Sequence, residues 1–318
     1  KFFNGSGETN PGNINGLTAT NCIIAQGSDG VDTNGVEQSC TNLTITTGGT
    51  LEAKGSLITV AGDFTTSGGL LGASCLDVLE AGNEYAYNSG TTWGIHDAYT
   101  IEFWFKTSTS GTNYLFDYYN GSDDDNRIRV YTDGSNDLKV ECHNSAGSSS
   151  GTELTTSANT SVNQYDGKWH HFALTNSGTE IKMYYDGKLS GQLTGTCDRD
   201  NDPTMRLLIG KVSGSTAYNW NGQIEEFRMF SDVRTESEIR SNMFKSGYAN
   251  ISGDALVAAY DFNEGTTNTA ACLEDGTPNT ARNLTLYNAA GTEAVDLWAG
   301  AGTFTYGTSN LTMTGTSK

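Results

Sequence analysis

Long hydrophobic runs are missing from the 318 residues. No apolar stretch approaches the roughly 20 residues that span a bilayer, so membrane insertion by a helix is not expected. Positive charge is also short. Against 37 Asp and Glu stand 18 Lys and Arg, which leaves a net charge of −19 and a pI near 4.4. A field of that sign repels phosphate backbones, so nucleic acid is not an expected partner. The 6 cysteines, Cys22, Cys40, Cys75, Cys142, Cys197 and Cys272, contain no C-x-x-C pair. That spacing argues against a zinc site or thioredoxin-like motif and for disulfides in an oxidising compartment. Proline is rare at 3 residues and charged residues make up only 17%, while Gly (39) and Tyr (15) are plentiful. This is the profile of an all-β extracellular chain with many turns. The sequence begins at Lys1 without a Met or signal peptide and is read as processed, or as a fragment of something longer.

What is present falls into three textures. Residues 1–75 include "NLTITTGGTLEAKGSLITVAGDFTTSGGLL" (Asn42–Leu71), where short alternating pieces are cut by Gly pairs, the rhythm of a β-solenoid or of stacked short strands. Residues 291–318 repeat that texture in "GTFTYGTSNLTMTGTSK". Residues 76–290 instead carry longer strands at hairpin spacing, of which "YTIEFWFKT" alternates Ile101, Phe103 and Phe105 against polar neighbours. One helix is predicted near Thr235–Lys245, where Thr235 and Glu238 make a capping box. The two ends resemble each other more than the middle, which predicts a middle domain inserted into one β-repeat structure, with entry and exit close together.

"DGKWHHFALT" (Asp166–Thr175) places two of the 4 histidines side by side. In a strand, Trp169, His171 and Ala173 face one side and His170, Phe172 and Leu174 the other. Neighbours on opposite faces do not ligate one ion, so the reading is one packed and one partly exposed histidine and not a metal pair. The same stretch resembles the "DGkWHHvAvt" strand of laminin-G-like, concanavalin-A-like domains. "IKMYYDGKL", "GQIEEFRMFSDVRTESEI", "YTIEFWFKT" and "LVAAYDFNEGT" resemble further segments of that family, in family order and over about two thirds of the chain. The resemblance implies an antiparallel β-sandwich of jelly-roll type. It implies adhesion or lectin-like activity more than any one ligand, since the family includes lectins, adhesion modules and inert spacers.

The chemistry is thin. Family glucanases carry E-x-D-x-x-E on a strand; Ile224-Glu225-Glu226-Phe227-Arg228 lacks that spacing. Gly147–Gly151 fits G-x-S-x-G but lies in a Ser-rich loop without a nucleophile elbow's context. No enzyme is expected. For sugars, the loops offer Tyr118, Tyr119, Tyr218 and Trp220 as stacking rings. For metal, Asp198, Asp200 and Asp202 make a D-x-D-x-D series that Pro203 and Ile209 disqualify as an EF-hand, and Asp123, Asp124 and Asp125 form a second cluster. Relatives that bind calcium at loop carboxylates make calcium the expected cofactor. Cys22 is expected to pair with Cys40 across a Gly/Asn/Asp-rich loop, and Cys75 with Cys272 at the ends of the middle region. Cys142 shares a strand face with Leu138 and Val140 and reads as a buried thiol.

The expectation is therefore a non-enzymatic structural protein at an extracellular or virion surface, built like a tail fibre or surface adhesin. Its partners would be cell-surface glycans or other structural subunits, within a homo-oligomer or larger assembly. A purely architectural module is the alternative, and a glycan hydrolase the last. If calcium sits at the aspartate loops, excess chelator lowers the melting temperature; an unchanged melting curve removes the cation from the account.

Overall fold

A computed structural model describes residues 71–288, apart from gaps that include 121–126, 144–151, 156–163 and 198–203, together with 297; the strand backbone alone is described at 18–24, 31–32, 38–45, 50–52, 57–60, 64–66, 152–155, 298–300, 303–305 and 310–313. The chain divides into two units. One comprises Lys1–Cys75, Phe244–Ser246 and Ala299–Lys318; the other comprises Leu76–Met243 and Gly247–Trp298.

In the first unit two groups of strands pair in parallel. Thr18–Ile24, Gln38–Ile45, Leu57–Val60 and Asn310–Met313 lie in that order, with Phe64–Thr66 also on Gln38–Ile45, and Val31–Asp32, Thr50–Glu52 and Thr303–Thr305 form a second group. Val31 stands opposite Leu51 and Gln38 opposite Ile58, a step of about 20 residues per layer. Leu51 then stands opposite Phe304 and Leu57 opposite Asn310, so late strands continue layers begun early in the chain. Cys22 faces Leu43 and Cys40 faces Ala19 in the backbone register. The expected Cys22–Cys40 bond rests on side chains outside the described residues.

The second unit is a sandwich of two antiparallel sheets. The first runs Thr152–Thr155, Leu138–His143, Arg127–Thr132, Asn113–Tyr119, Arg206–Ile209, Tyr85–Asn88, Leu284–Tyr287, Thr269–Ala270. In the second, Trp169–Asn176, Tyr99–Lys106 and Gly222–Phe230 are central, flanked by Glu180–Tyr185 and Lys188–Thr194 on one side and Leu256–Tyr260 on the other. Period-two alternation drives both sheets to bury one face. Ile101, Phe103 and Phe105 lie in the core, as their alternation predicts. Phe103 is its centre, with ring centroids 5.0 Å from Phe172, 5.5 Å from Phe227 and 5.8 Å from Phe116 on the opposite sheet.

The far face of the second sheet is covered by the α-helix Glu236–Asn242. Thr235 caps it and Glu238 closes the capping box. Ile239 packs on Ala173 and Tyr184, and the Trp104 indole donates to the Met243 carbonyl at 2.6 Å.

The cysteine pairing corrects two expectations. Cys142 is bonded to Cys197, while Cys75 and Cys272 remain buried thiols, and burial pushes the Cys272 thiol up to about 11. Cys142 faces inward, as its alternation with Leu138 and Val140 requires, and Cys197 reaches it from the loop that follows Lys188–Thr194, the edge strand of the opposite sheet. The Cys197 carbonyl accepts from the Tyr99 hydroxyl at 2.8 Å, and its N–H donates to Asn176 Oδ1 at 3.3 Å. The bridge thus ties the two sheets across a separation of 55 residues, a constraint that contributes about 4 kcal/mol in the chain-entropy account. Truncating the central ring, Phe103→Ala, is expected to cost about 3–5 kcal/mol in chemical denaturation, the range for emptying a packed aromatic site. A loss below about 1 kcal/mol would show that the sheets do not depend on this contact.

Candidate functional site

The outward face of the first sheet carries the densest set of functional side chains among the described residues. Since Phe116, Tyr118, Ile128, Val130, Leu207, Ile209, Ala86 and Leu286 point into the core, the alternate positions point out. One row across the strands reads Thr285, Tyr87, Leu208, Asp117, Arg129, Glu141. A neighbouring row holds Arg206, Tyr119, Arg127 and His143, and a third holds Tyr287 beside Tyr85.

The charged part of this face is locked. Arg127 grips the fully buried Asp117 through Nε (2.8 Å) and Nη2 (2.5 Å). Burial nevertheless outweighs Arg127 and raises the Asp117 pKa. Arg129 makes a two-pronged contact with Glu141 at 2.6 Å on each oxygen, and His143 Nε2 lies 2.6 Å from Glu141 Oε1. Burial would raise Glu141, but these partners hold it below its ordinary value.

The aromatic part is open to solvent at half-buried positions. Tyr85 and Tyr287 stack at 5.2 Å, with Tyr87 tilted 6.3 Å from Tyr287. The Lys211 ammonium lies 4.4 Å above the Tyr85 ring, and Arg206 lies 6.0 Å from the centre of Tyr119. The loop from Gly210 to Trp220 crosses beside this array. Ser213 N–H donates to Asp117 Oδ2 at 2.8 Å, and Asn83 Oδ1 accepts from Lys211 Nζ (3.1 Å) and Asn219 Nδ2 (2.6 Å). Late in this loop Tyr218 takes φ = 67°, with its carbonyl accepting from Tyr114 N–H at 2.8 Å. A left-handed tyrosine is strained, and here the strain holds a ring that is 53% exposed.

The four rings read from the sequence do not form one surface. Tyr218 is exposed, but Tyr118 (1%), Tyr119 (6%) and Trp220 (0%) are buried. Tyr118 meets Trp93 edge-on at 6.1 Å and Trp220 meets Phe105 at 5.9 Å. The strand runs on through Tyr119, so the pleat, not a loop, decides where those rings point. Tyr85, Tyr87 and Tyr287 escaped notice, although the alternation of "YAYN" and "LTLY" signals them. Asp123, Asp124, Asp125, Asp198, Asp200 and Asp202 lie outside the described residues, as does the Gly147–Gly151 loop. Among the described residues no group of three or more His, Cys, Asp or Glu is placed to hold a metal.

The glutamates nearest a glucanase pattern are sealed under the helix. Arg228 Nη1 donates to Glu102 Oε1 and to the Asn242 carbonyl, each at 3.2 Å, and Nη2 donates to Glu226 Oε2 at 2.7 Å. Glu102, Glu225, Glu226 and Arg228 are all buried. A bulge between Glu225 and Arg228 turns Glu226 to φ = 52° and aims it at that arginine.

A family model described as the concanavalin A-like lectin/glucanases superfamily matches residues 80–240. No curated protein matches the sequence. Solved structures that are similar include a Bacteroides ovatus ATCC 8483 protein put forward as carbohydrate-binding, at 17% identity, 70% of this chain, 60% of its own length and a TM-score of 0.49. The heptameric SAP-like pentraxin of Limulus polyphemus matches at 13% identity, 52% of this chain, 78% of its own and a TM-score of 0.40. The Ruminococcus gnavus IT-sialidase CBM40 bound to α2,3-sialyllactose matches at 17% identity, 52% of this chain, 92% of its own and a TM-score of 0.40.

The histidine pair is structural, and both rings are buried, where one was expected to be partly exposed. His170 lies between two carboxylates, with Nε2 3.2 Å from Asp166 Oδ1 and Nδ1 3.1 Å from Asp186 Oδ2. Burial works against its charge, but Asp186 and Asp166 prevail and raise the pKa to about 9. His171, on the opposite face beside Trp104, is held down to about 3 by burial and by Arg228. A raised folded pKa stabilises below the unfolded value of about 6.5 and loses that contribution as pH climbs through about 9. The wild type should therefore exceed His170→Gln in stability most below pH ~6.5, on the order of 2 kcal/mol, with the gap closing by pH ~10. Urea denaturation across that range measures it, and a gap independent of pH would mean that His170 is not charged in the fold.

Proposed function

The chain belongs to the concanavalin A-like lectin/glucanases superfamily, and on that premise we propose that it is an adhesion protein that binds glycans without cleaving them. The observation that carries this reading is the half-exposed tyrosine array Tyr85, Tyr87 and Tyr287 on the outward sheet face. Tyrosine rings offer apolar faces to the C–H side of a pyranose, and the neighbouring side chains and hydroxyls serve its polar rim. Tyr218, exposed in the Gly210–Trp220 loop, adds a further platform. The non-catalytic part is supported by the burial of both candidate glutamates, Glu225 and Glu226, the latter in an ion cluster with Arg228 and Glu102.

The Cys142–Cys197 bridge supports an oxidising, extracellular setting. We place the protein at a cell or virion surface, as part of a fibre-like assembly. That placement is supported by the parallel pairing of early and late strands in the first unit, which we read as a β-solenoid-like segment interrupted in sequence by the sandwich. Its end strands Thr18–Ile24 and Asn310–Met313 are paired on one side among the described residues, and such edges suit further layers or identical chains. The same layers favour the second reading, an architectural module. Calcium remains part of the proposal on the acidic loops of the sequence alone.

A glycan array run with and without calcium tests the proposal. Binding is expected, and Tyr87→Ala or Tyr287→Ala is expected to weaken it roughly tenfold each, the worth of one lost stacking ring. A blank array leaves the architectural reading. Release of reducing ends from a bound polysaccharide overturns the non-enzymatic part.

A further inference from the structure

The cations of the outward face are not equivalent. Arg127 and Arg129 are neutralised by Asp117 and Glu141, and Lys139 lies 3.4 Å from Asp133. Arg206 and Lys211 have no carboxylate partner among the described residues. Arg206, on the outward side of its strand, has the Tyr119 and Tyr87 hydroxyls beside its guanidinium, and these neutral groups keep it firmly protonated. Lys211 rests on the Tyr85 ring, donates to the amide oxygen of Asn83, and has its pKa lowered by burial. Both are half-buried. The tyrosines therefore lie with one cation near Tyr87 and another over Tyr85, neither paired with a carboxylate among the described residues.

Leaving two partly desolvated cations without counter-charge is costly unless something else supplies it. Among the described residues no carboxylate pairs with either cation, although the chain's net charge is −19. A guanidinium matches a carboxylate or sulfate group in two-pronged geometry, and an ammonium acts as a point charge. The tyrosine faces beside them suit a sugar ring and not an isolated small anion. The molecule's overall negative field repels an acidic ligand at long range, so recognition has to come from contact at this patch.

We propose that Arg206 and Lys211, set on the Tyr85, Tyr87 and Tyr287 array, select acidic glycans, with the ligand's carboxylate or sulfate ester anchored at Arg206 and its ring on the tyrosines. This rests on the glycan-binding reading above and narrows it to one ligand class.

The test uses matched polysaccharide pairs that differ only in charge. Polygalacturonate against its methyl ester probes the carboxylate source, and a sulfated galactan against its desulfated form probes the sulfate. The full chain should bind the acidic member of at least one pair about tenfold more tightly, the scale of one charge-assisted contact. Arg206→Gln should bring the two members within about twofold, Arg206→Lys should restore part of the preference, and Lys211→Gln should reduce it. Thermal melts of each variant check that the fold is intact. If the chain binds neutral and acidic members equally, or if Arg206→Gln leaves the preference unchanged in a folded protein, this inference fails while glycan binding stands. If neither member of any pair binds and the array is also blank, both fail.

Discussion

The contact of Phe103 with Phe116 between the two sheets is the constraint from which the rest follows. Phe103 also touches Phe172 and Phe227 within its own sheet, so four strands are indexed to one ring. A strand's register cannot slip by one residue without turning every side chain to the other face. Once these phenylalanines face inward, the outward positions are assigned as well. The Cys142–Cys197 bridge fastens the same two sheets away from that ring cluster.

The two outward faces then diverge because their residues make different demands. On one, Trp104, Ala173 and Tyr184 are apolar enough to require a cover, and the helix supplies it. Covering that face buries Glu102, Glu226 and Arg228, which survive only as a mutually bonded cluster. Carboxylates in that position serve the fold. On the other face, Tyr85, Tyr87 and Tyr287 stay half-exposed beside the ion pairs Arg127–Asp117 and Arg129–Glu141. Division of labour between the faces thus comes from what each can leave uncovered.

The Asp-Gly turns show how one motif organises several strands. Asp186 and Gly187 both take positive φ, the geometry of a tight hairpin between Glu180–Tyr185 and Lys188–Thr194. Asp186 also accepts from His171 N–H at 2.9 Å and contacts His170, while Asp166 caps Lys168 N–H and reaches the same ring. The adjacent histidines, which at first suggest chemistry, are the place where two turns are tied to a central strand.

Much of the fold was legible in the chain itself. Alternation at Ile101, Phe103 and Phe105, the Thr235–Glu238 capping box and the Asp-Gly turns are local signals, written in neighbouring residues and decided by backbone geometry that depends on little else. The family resemblance rested on the same local strands. What depended on long-range contact was not legible. Cys142 meets Cys197 only because opposite sheets converge there. Tyr118 and Trp220 read as loop aromatics until the strand and the core claimed them. Arg206 and Lys211 come to lie with Tyr85, Tyr87 and Tyr287 only after segments about 120 and 200 residues apart in the chain pair within one sheet. Sequence alone determined which face of each strand is apolar, because the pleat has a period of two. Which polar faces meet, and which stay exposed, was decided by tertiary pairing, because the free energy of those contacts exists only once the strands are side by side.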